Sequence, residues 1–301
     1  MLAVLGPTAS GKSDIAFRLA VDLGGSVLSV DSMQVYRGMD IGTAKPSPAE
    51  RARVTHHMID IAEPEERYTV ARFQKDARQV LREAVRPVVI TGGSGLHFRA
   101  VVDPLRFPGE DPALRDAISA LPPAVAEAKL LEIDPEAGDH VDLSNPRRVS
   151  RALEVAMIED RGPTARAASP HREAVASYQP ELPFAAVGVD PGPVLRERVA
   201  ARLLGMVAAG LIDEVTALAP RFGPTSAAAV GYRQLVPVVA GERSLEDGLT
   251  LAEQATMKLA KRQRTFFRRD PRIRWIDWSD DPDEVYEGVR RALTEEPAWS
   301  S

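Results

Sequence analysis

Four consecutive apolar residues, Leu2–Leu5, run into a glycine-containing turn, and a stretch from Ser13 to about Leu23 then alternates at helical spacing. Ser26–Val30 is a second β-rich run, stopped by Asp31. A helical segment from about Val70 to Val85 leads into a third strand-then-glycine unit, Arg86-Pro-Val-Val-Ile-Thr-Gly-Gly-Ser94. Strands that alternate with helices, each ending in a polar or glycine turn, predict a parallel sheet with crossover helices. Beyond Asp111 the pattern changes, and Pro112–Leu121, Ala124–Ile133 and Asn145–Asp160 read as helices with no strand between them. Ala185–Asp190 returns to a buried strand, followed by helices from Gly192 to about Gly210 and from Leu245 to Arg268. The expected fold class is α/β, with a parallel-sheet core over 1–110 and 185–301 and a mainly helical insertion over 111–184. No internal repeat is present.

The first turn carries chemistry. Gly6-Pro7-Thr8-Ala9-Ser10-Gly11-Lys12-Ser13 fits G-x-x-x-x-G-K-[ST], with a strand before it and a helix after it. In such a loop backbone N–H groups curl around an anion and the helix N-terminus adds partial positive charge. Lys12 is expected to reach a terminal phosphate and Ser13 to hold Mg²⁺. The core is therefore expected to be P-loop NTPase-like. In a parallel sheet ligands bind beyond the carboxyl ends of the strands, so 6–13, 31–34 and 92–94 should lie on one edge. The loop alone fits phosphoryl transfer, but it also fits a diphosphate that leaves as a C–O bond breaks.

Composition narrows this little. Apolar residues make up 44 % and charged residues 27 %, an ordinary globular balance. With no cysteine the chain has no disulfide, thiolate nucleophile or cysteine-ligated zinc. No apolar run approaches the roughly 20 residues that span a bilayer, and a soluble, cytoplasmic protein is expected. The net charge of −5 argues weakly against a polyanionic partner, yet Arg147, Arg148 and Arg151 cluster, as do the basic residues from Lys258 to Arg274.

A longer pattern follows the second strand: Asp31-Ser-Met-Gln-Val-Tyr-Arg-Gly-Met-Asp40-Ile-Gly-Thr-Ala-Lys45, then His56-His-Met-Ile-Asp60. Gly92-Gly-Ser-Gly-Leu-His97, Asn145-Pro-Arg-Arg-Val-Ser-Arg151, Val230-Gly-Tyr-Arg-Gln234 and Leu259-Ala-Lys-Arg-Gln-Arg264 come after it in order. Together these resemble the bacterial tRNA dimethylallyltransferases, also called tRNA isopentenyltransferases, over nearly the whole chain. The resemblance implies transfer of a dimethylallyl group from dimethylallyl diphosphate to N6 of adenosine 37, in tRNAs reading codons that begin with U. It implies a Mg²⁺-dependent core, an insertion that grips the anticodon stem-loop, and a monomer with no obligate protein partner.

Carried over by position, Asp31 is the general base, and Ser94 supplies a hydroxyl near the bridging oxygen of the diphosphate. Lys12 completes the catalytic set, while Gly6 to Ser13 and Arg202 hold the diphosphate. Asp31, Ser32, Met33 and Gln34 match a nucleotide-contact segment, with Gln34 expected to pair with a base edge. Other matched tRNA contacts are His56, Ser94, Arg115, Arg147, Arg148, Val149, Ser150 and Arg151. Gly231, Tyr232, Arg233 and Gln234 complete that set. Two departures stand out. Ser94 replaces a threonine and loses the β-branch that restricts its rotamer, and His97 replaces a tyrosine. The competing readings are prenylation of a free adenine nucleotide, a P-loop small-molecule kinase, and a non-catalytic RNA-binding module.

Overall fold

The structure is a computed structural model and describes residues 1–294. The chain divides into two compact units, Met1–Val102 with Leu182–Ser301, and Asp103–Glu181. The first unit holds six strands: β1 (Leu2–Leu5), β2 (Ser26–Ser29), β3 (His56–His57), β4 (Val88–Gly92), β5 (Ala185–Val189) and β6 (Ile273–Ile276). They form one sheet in the order β3-β2-β4-β1-β5-β6, and every pairing is parallel. Strands β1, β2, β4 and β5 are buried at every residue. This is why they read as continuous apolar runs, since a parallel sheet is covered on both faces.

Alternation along β1 separates the two covering layers. Leu2 and Val4 pack with Ile15 and Leu19 of α1 (Lys12–Leu23) on one face. Ala3 and Leu5 face the larger core, with Phe73, Phe98, Tyr232 and Phe267. Along the chain, α2 (Pro48–Arg53) follows β2, α3 (Val70–Glu83) follows β3 and α4 (Gly95–Val102) follows β4.

The second unit contains α5 (Pro112–Ser119), α6 (Pro123–Ile133), α7 (Pro146–Glu159), α8 (Pro163–Ala167) and α9 (Pro170–Ala176). Asp111 caps α5 and Asn145 caps α7, each accepting the backbone N–H three residues on. Ile118, Leu130, Val149 and Leu153 make a small core of their own. Where the chain leaves and re-enters the first unit, the Leu182 N–H donates to the Val102 carbonyl at 3.1 Å.

The first unit continues with α10 (Leu195–Ala208), α11 (Leu211–Leu218), α12 (Tyr232–Val239), α13 (Leu245–Arg268) and α14 (Pro282–Thr294). Several elements escape the hydrophobic pattern. β3 is two residues long, and β6 is an edge strand inside a charged run. α12 contains Pro237, which reads as a breaker. The helix expected from Gly192 to Gly210 is shorter, because Gly192–Val194 is a 3₁₀ turn and Gly210 has φ 100°. Among the described residues no single helix is long and apolar enough to cross a membrane.

One ion cluster organises the second unit. Glu154 is 2 % exposed and lies 2.8 Å from both Arg115 and Arg151. Burial works to raise its pKa, but hydrogen bonds from Arg151 and Arg115 outweigh it and hold the carboxyl below its usual value. The resulting stabilisation is present above the unfolded-state pKa and is lost as pH falls through the depressed folded value. Arg115→Ala should lower stability by about 1–3 kcal/mol, read as an earlier urea midpoint at pH 7. The difference between variant and wild type should shrink on acidification.

Candidate active site

The loop from β1 to α1 turns on Ala9 (φ 62°) and Gly11 (φ 81°). The left-handed conformation costs a non-glycine residue about 1–2 kcal/mol, so surrounding contacts have to hold Ala9 in it. They come from two helices. Arg198 Nε donates to the Ala9 carbonyl at 2.8 Å, and Arg202 reaches the Thr8 hydroxyl at 3.3 Å. From α13, Gln263 Oε1 accepts the Thr8 N–H at 2.8 Å. At the loop's entry only glycine fits, because a Cβ on Gly6 would lie 2.2 Å from the Val189 carbonyl oxygen.

Lys12 is buried at the start of α1, where its Nζ donates to the Pro7 carbonyl at 3.1 Å. Burial and then the neighbouring Arg202 push its pKa down to about 8, with Asp31 and Asp14 partly opposing them. Arg202 is itself held below its usual value by burial. Among the described residues neither cation forms an ion pair. Ser10 Oγ is buried inside the loop with no partner. Two cations and an orphaned hydroxyl at a helix N-terminus make a site for an anion.

Asp31 follows β2. Its Oδ1 accepts the Met33 N–H at 2.8 Å and its own N–H donates to Ser29 Oγ at 3.3 Å. Among the described residues Oδ2 has no hydrogen-bond partner. The carboxylate acts on Lys12, Arg202 and His97, favouring the charged form of each. It thus stands in the same electrostatic neighbourhood as the loop, where it can accept a proton.

The segment after Asp31 is a scaffold. Glu214 of α11 accepts the backbone N–H groups of Asp40, Ile41 and Gly42 at 2.8–3.0 Å, and the Tyr232 hydroxyl at 2.5 Å. A side chain at Gly42 would strike the Tyr232 ring, 2.5 Å from an added Cβ. Lys45 Nζ, almost wholly buried, pairs with Asp40 and Asp60 and donates to the Tyr36 carbonyl. The loop so fixed offers the Thr43 and Ala44 carbonyls to Gln34 Nε2, while Gln34 Oε1 accepts from Ser29 Oγ at 2.7 Å.

A cavity of about 850 Å³ gathers most of the expected residues of the first unit. Thr8, Ala9, Gly11, Lys12, Ser13, Asp31, Ser32, Met33, Gln34, Ser94, Arg202 and Gly231 line it. Gly6, Pro7 and Ser10 belong to the loop but do not face this space. Other expected residues are engaged within the chain. Gln34 lines the cavity, but its Nε2 donates to the Thr43 and Ala44 carbonyls and its Oε1 accepts from Ser29. Tyr232 is 0 % exposed, so its side chain is a core element bonded to Glu214. Val149 packs in the second unit's core, and Arg115 and Arg151 are tied to Glu154.

His56 sits on β3, away from the cavity lining, with Nδ1 2.8 Å from the Val54 carbonyl oxygen and its ring stacked on Phe17. Burial lowers its pKa. Gln234 accepts the Gly231 N–H at 2.9 Å. Arg147, Arg148 and Arg233 are exposed, Arg148 with Asp142 3.4 Å away, and Ser150 is half-buried. Sequence reasoning assigned no role to Glu214, Arg198, Gln263 or Phe266. A signal existed for α13, since Leu259, Arg262, Gln263 and Phe266 recur at helical spacing and all face the cavity.

The IPP transferase family model matches residues 34–270, most of the chain. The chain belongs to the IPP transferase family. The family span includes Gln34, Glu214, Tyr232 and Gln263, which brace the cavity. Over 295 residues the chain is 43 % identical to the tRNA dimethylallyltransferase of Pseudarthrobacter chlorophenolicus, covering 95 % of each. It is 42 % identical over 307 residues to that of Moorella thermoacetica, covering 95 % of this chain and 92 % of the relative. The solved full-length tRNA isopentenylpyrophosphate transferase of Bacillus halodurans is similar at 33 % identity and a TM-score of 0.66. That match covers 98 % of this chain and 96 % of the solved one.

Glu214→Ala removes the acceptor for three backbone N–H groups and a buried phenol. Stability should fall by about 2–4 kcal/mol, and amide exchange at Asp40, Ile41 and Gly42 should accelerate more than elsewhere in the first unit. Unchanged exchange at these three amides would contradict the clamp.

Proposed function

We propose that this chain transfers a dimethylallyl group from dimethylallyl diphosphate to N6 of adenosine 37 in tRNA, releasing diphosphate. One observation carries the reading. A carboxylate with an uncommitted oxygen, Asp31, lines the same cavity as two cations that lack anionic partners, the buried Lys12 and the half-buried Arg202. Family membership supports tRNA as the acceptor. The anticodon-loop site and the set of tRNAs whose codons begin with U come from the same resemblance.

An adenine N6 is a weak nucleophile because its lone pair is delocalised into the ring. As N6 bonds to C1 of the prenyl group, the C1–O bond breaks and its electrons go to the diphosphate. The N6 proton passes to Asp31 Oδ2, and general-base help of this kind contributes about 10²–10⁴-fold. Lys12, Arg202 and the loop stabilise charge that grows on the leaving group. Ser94 donates to the bridging oxygen. Extraction of the base from its stack is required before any of this, as for other enzymes that act on nucleobases.

A Mg²⁺ ion fits the donor set in one way only. Among the described residues no group of three acidic or histidine side chains could hold a metal, whereas Ser13 stands exposed at the start of α1. Ser13 would hold it together with diphosphate oxygens, the pattern of a hard cation that arrives with its phosphate. Bound there, it supplies Lewis-acid stabilisation of the leaving diphosphate. Exposed Arg147, Arg148 and Arg233 are the residues offered to the RNA backbone, since phosphate contacts dominate such affinity. The protein acts as a monomer in the cytoplasm.

Labelled dimethylallyl diphosphate, Mg²⁺ and hypomodified tRNA, with AMP in a parallel reaction, test the reading. Label should appear at adenosine 37 and not in AMP; label in AMP alone would sink it. Asp31→Asn should lower turnover by about 10²-fold or more, with tRNA affinity nearly unchanged.

The depressed pKa of Lys12 adds a prediction. A bound diphosphate favours the ammonium, so the free site, half neutral at a pKa of about 8, must take up a proton on binding. Calorimetry of diphosphate binding near pH 8, in buffers of different ionisation enthalpy, should show uptake of about half a proton. Uptake should fade towards pH 6.5, and affinity should weaken as pH rises above 8.

A further inference from the structure

We infer that His97 is a positioning residue for Ser94, holding the serine hydroxyl so that it donates into the cavity at the departing oxygen. The inference rests on the diphosphate reading of the site given above. Ser94 is the residue just before α4, and its backbone is pinned from the side. A Cβ on Gly93 would lie 2.3 Å from the Gln263 amide, and one on Gly95 would lie 2.0 Å from the Phe266 ring. Helix α13 therefore fixes where Ser94 stands, but not where its hydroxyl points. Serine has no β-branch, so three staggered rotamers are open to it.

The contact that selects one of them comes from His97. A serine at a helix N-cap ordinarily accepts a backbone N–H from the first turn. Here the Ser94 Oγ partner is the His97 side chain, with Nδ1 2.6 Å away. The imidazole is itself held. It meets Phe73 edge-on, ring centroids 4.6 Å apart at 83°, and Phe73 is wholly buried. An anchored ring thus supplies the restriction that a β-branch would otherwise give.

The direction of the bond follows from the ring's tautomer and from what the departing oxygen needs. Burial pushes the His97 pKa down to about 4, although the Asp31 carboxylate opposes it. The ring is neutral at physiological pH and carries a single N–H. A bridging oxygen of a diphosphate offers only lone pairs, so Ser94 serves it by donating. That requires the hydroxyl proton to be free of His97. The competent tautomer therefore carries its proton on Nδ1, donates to Ser94 Oγ and polarises the O–H that faces the cavity. The same pair does not suit a serine nucleophile, because so weakly basic a ring is a poor acceptor for the hydroxyl proton at neutral pH.

The test measures kcat and the KM for dimethylallyl diphosphate at saturating hypomodified tRNA. It compares wild type, Ser94→Ala, His97→Phe, His97→Asn and the S94A/H97F double variant. Phenylalanine keeps a ring against Phe73 without a donor, and asparagine restores an N–H near the position of Nδ1. His97→Leu repeats the donor-free arm if phenylalanine lowers the melting temperature. Loss of the donor should reduce kcat by about tenfold, the scale of one hydrogen bond, with little change in KM. His97→Asn should recover most of that loss. The double variant should be no worse than Ser94→Ala by more than about twofold, since a residue acting through Ser94 has nothing left to position. An active wild type whose His97→Phe and His97→Leu variants match it in kcat overturns the inference. So do losses that multiply in the double variant. A wild type that transfers no prenyl group overturns the reading of the site, and this inference falls with it.

Discussion

A buried lysine, Lys12, and a half-buried arginine, Arg202, stand beside each other, and much of the first unit is arranged to keep them there. Arg202 is close enough to disfavour the charge on Lys12, and among the described residues neither is paired with a carboxylate. Such a placement costs free energy until an anion enters. The phosphate loop keeps its strained turn at Ala9 because Arg198 and Gln263 grip it from separate helices. In the proposed reading, diphosphate affinity draws on this same arrangement.

Asp31, the base in the proposed mechanism, is held with one carboxylate oxygen left over. One carboxylate oxygen is committed to the local turn, and the backbone at that turn is tied through Ser29 and Gln34 to the loop that Glu214 clamps. Much of the polar character of the long run from Asp31 to Lys45 is thus spent within the protein. Gln34, Asp40, Gly42 and Lys45 bond to or pack against the protein itself. Polar side chains buried in the chain have to find partners there, and these have found them.

The parallel sheet, the phosphate loop and the positions of Asp31 and Ser94 were legible in the sequence because each depends on local signals: apolar runs, glycine spacing and a strand end. The bracing was not. Glu214 lies in a helix whose sequence, Leu-Ile-Asp-Glu-Val, reads as an ordinary amphipathic surface, and its backbone partners are more than 170 residues away. Tyr232 stood in a polar motif and was expected at the RNA, yet Gly42 leaves space for its ring in the core. Arg115 and Arg151 looked like free cations because the acid between them, Glu154, is hidden on the inner face of α7. Pairing across sequence distance cannot be read from one chain's periodicity.

The hydrogen bond from Leu182 to Val102 has a meaning for the history of the molecule. It holds together the two points at which the chain leaves and re-enters the first unit. Chain entering and leaving at neighbouring points can be lengthened, shortened or replaced at little entropic cost to the core. The second unit also carries its own hydrophobic core and its own helix caps. The sheet is therefore an adaptable chassis, on which selection could alter a single graft and leave the candidate site of the first unit untouched.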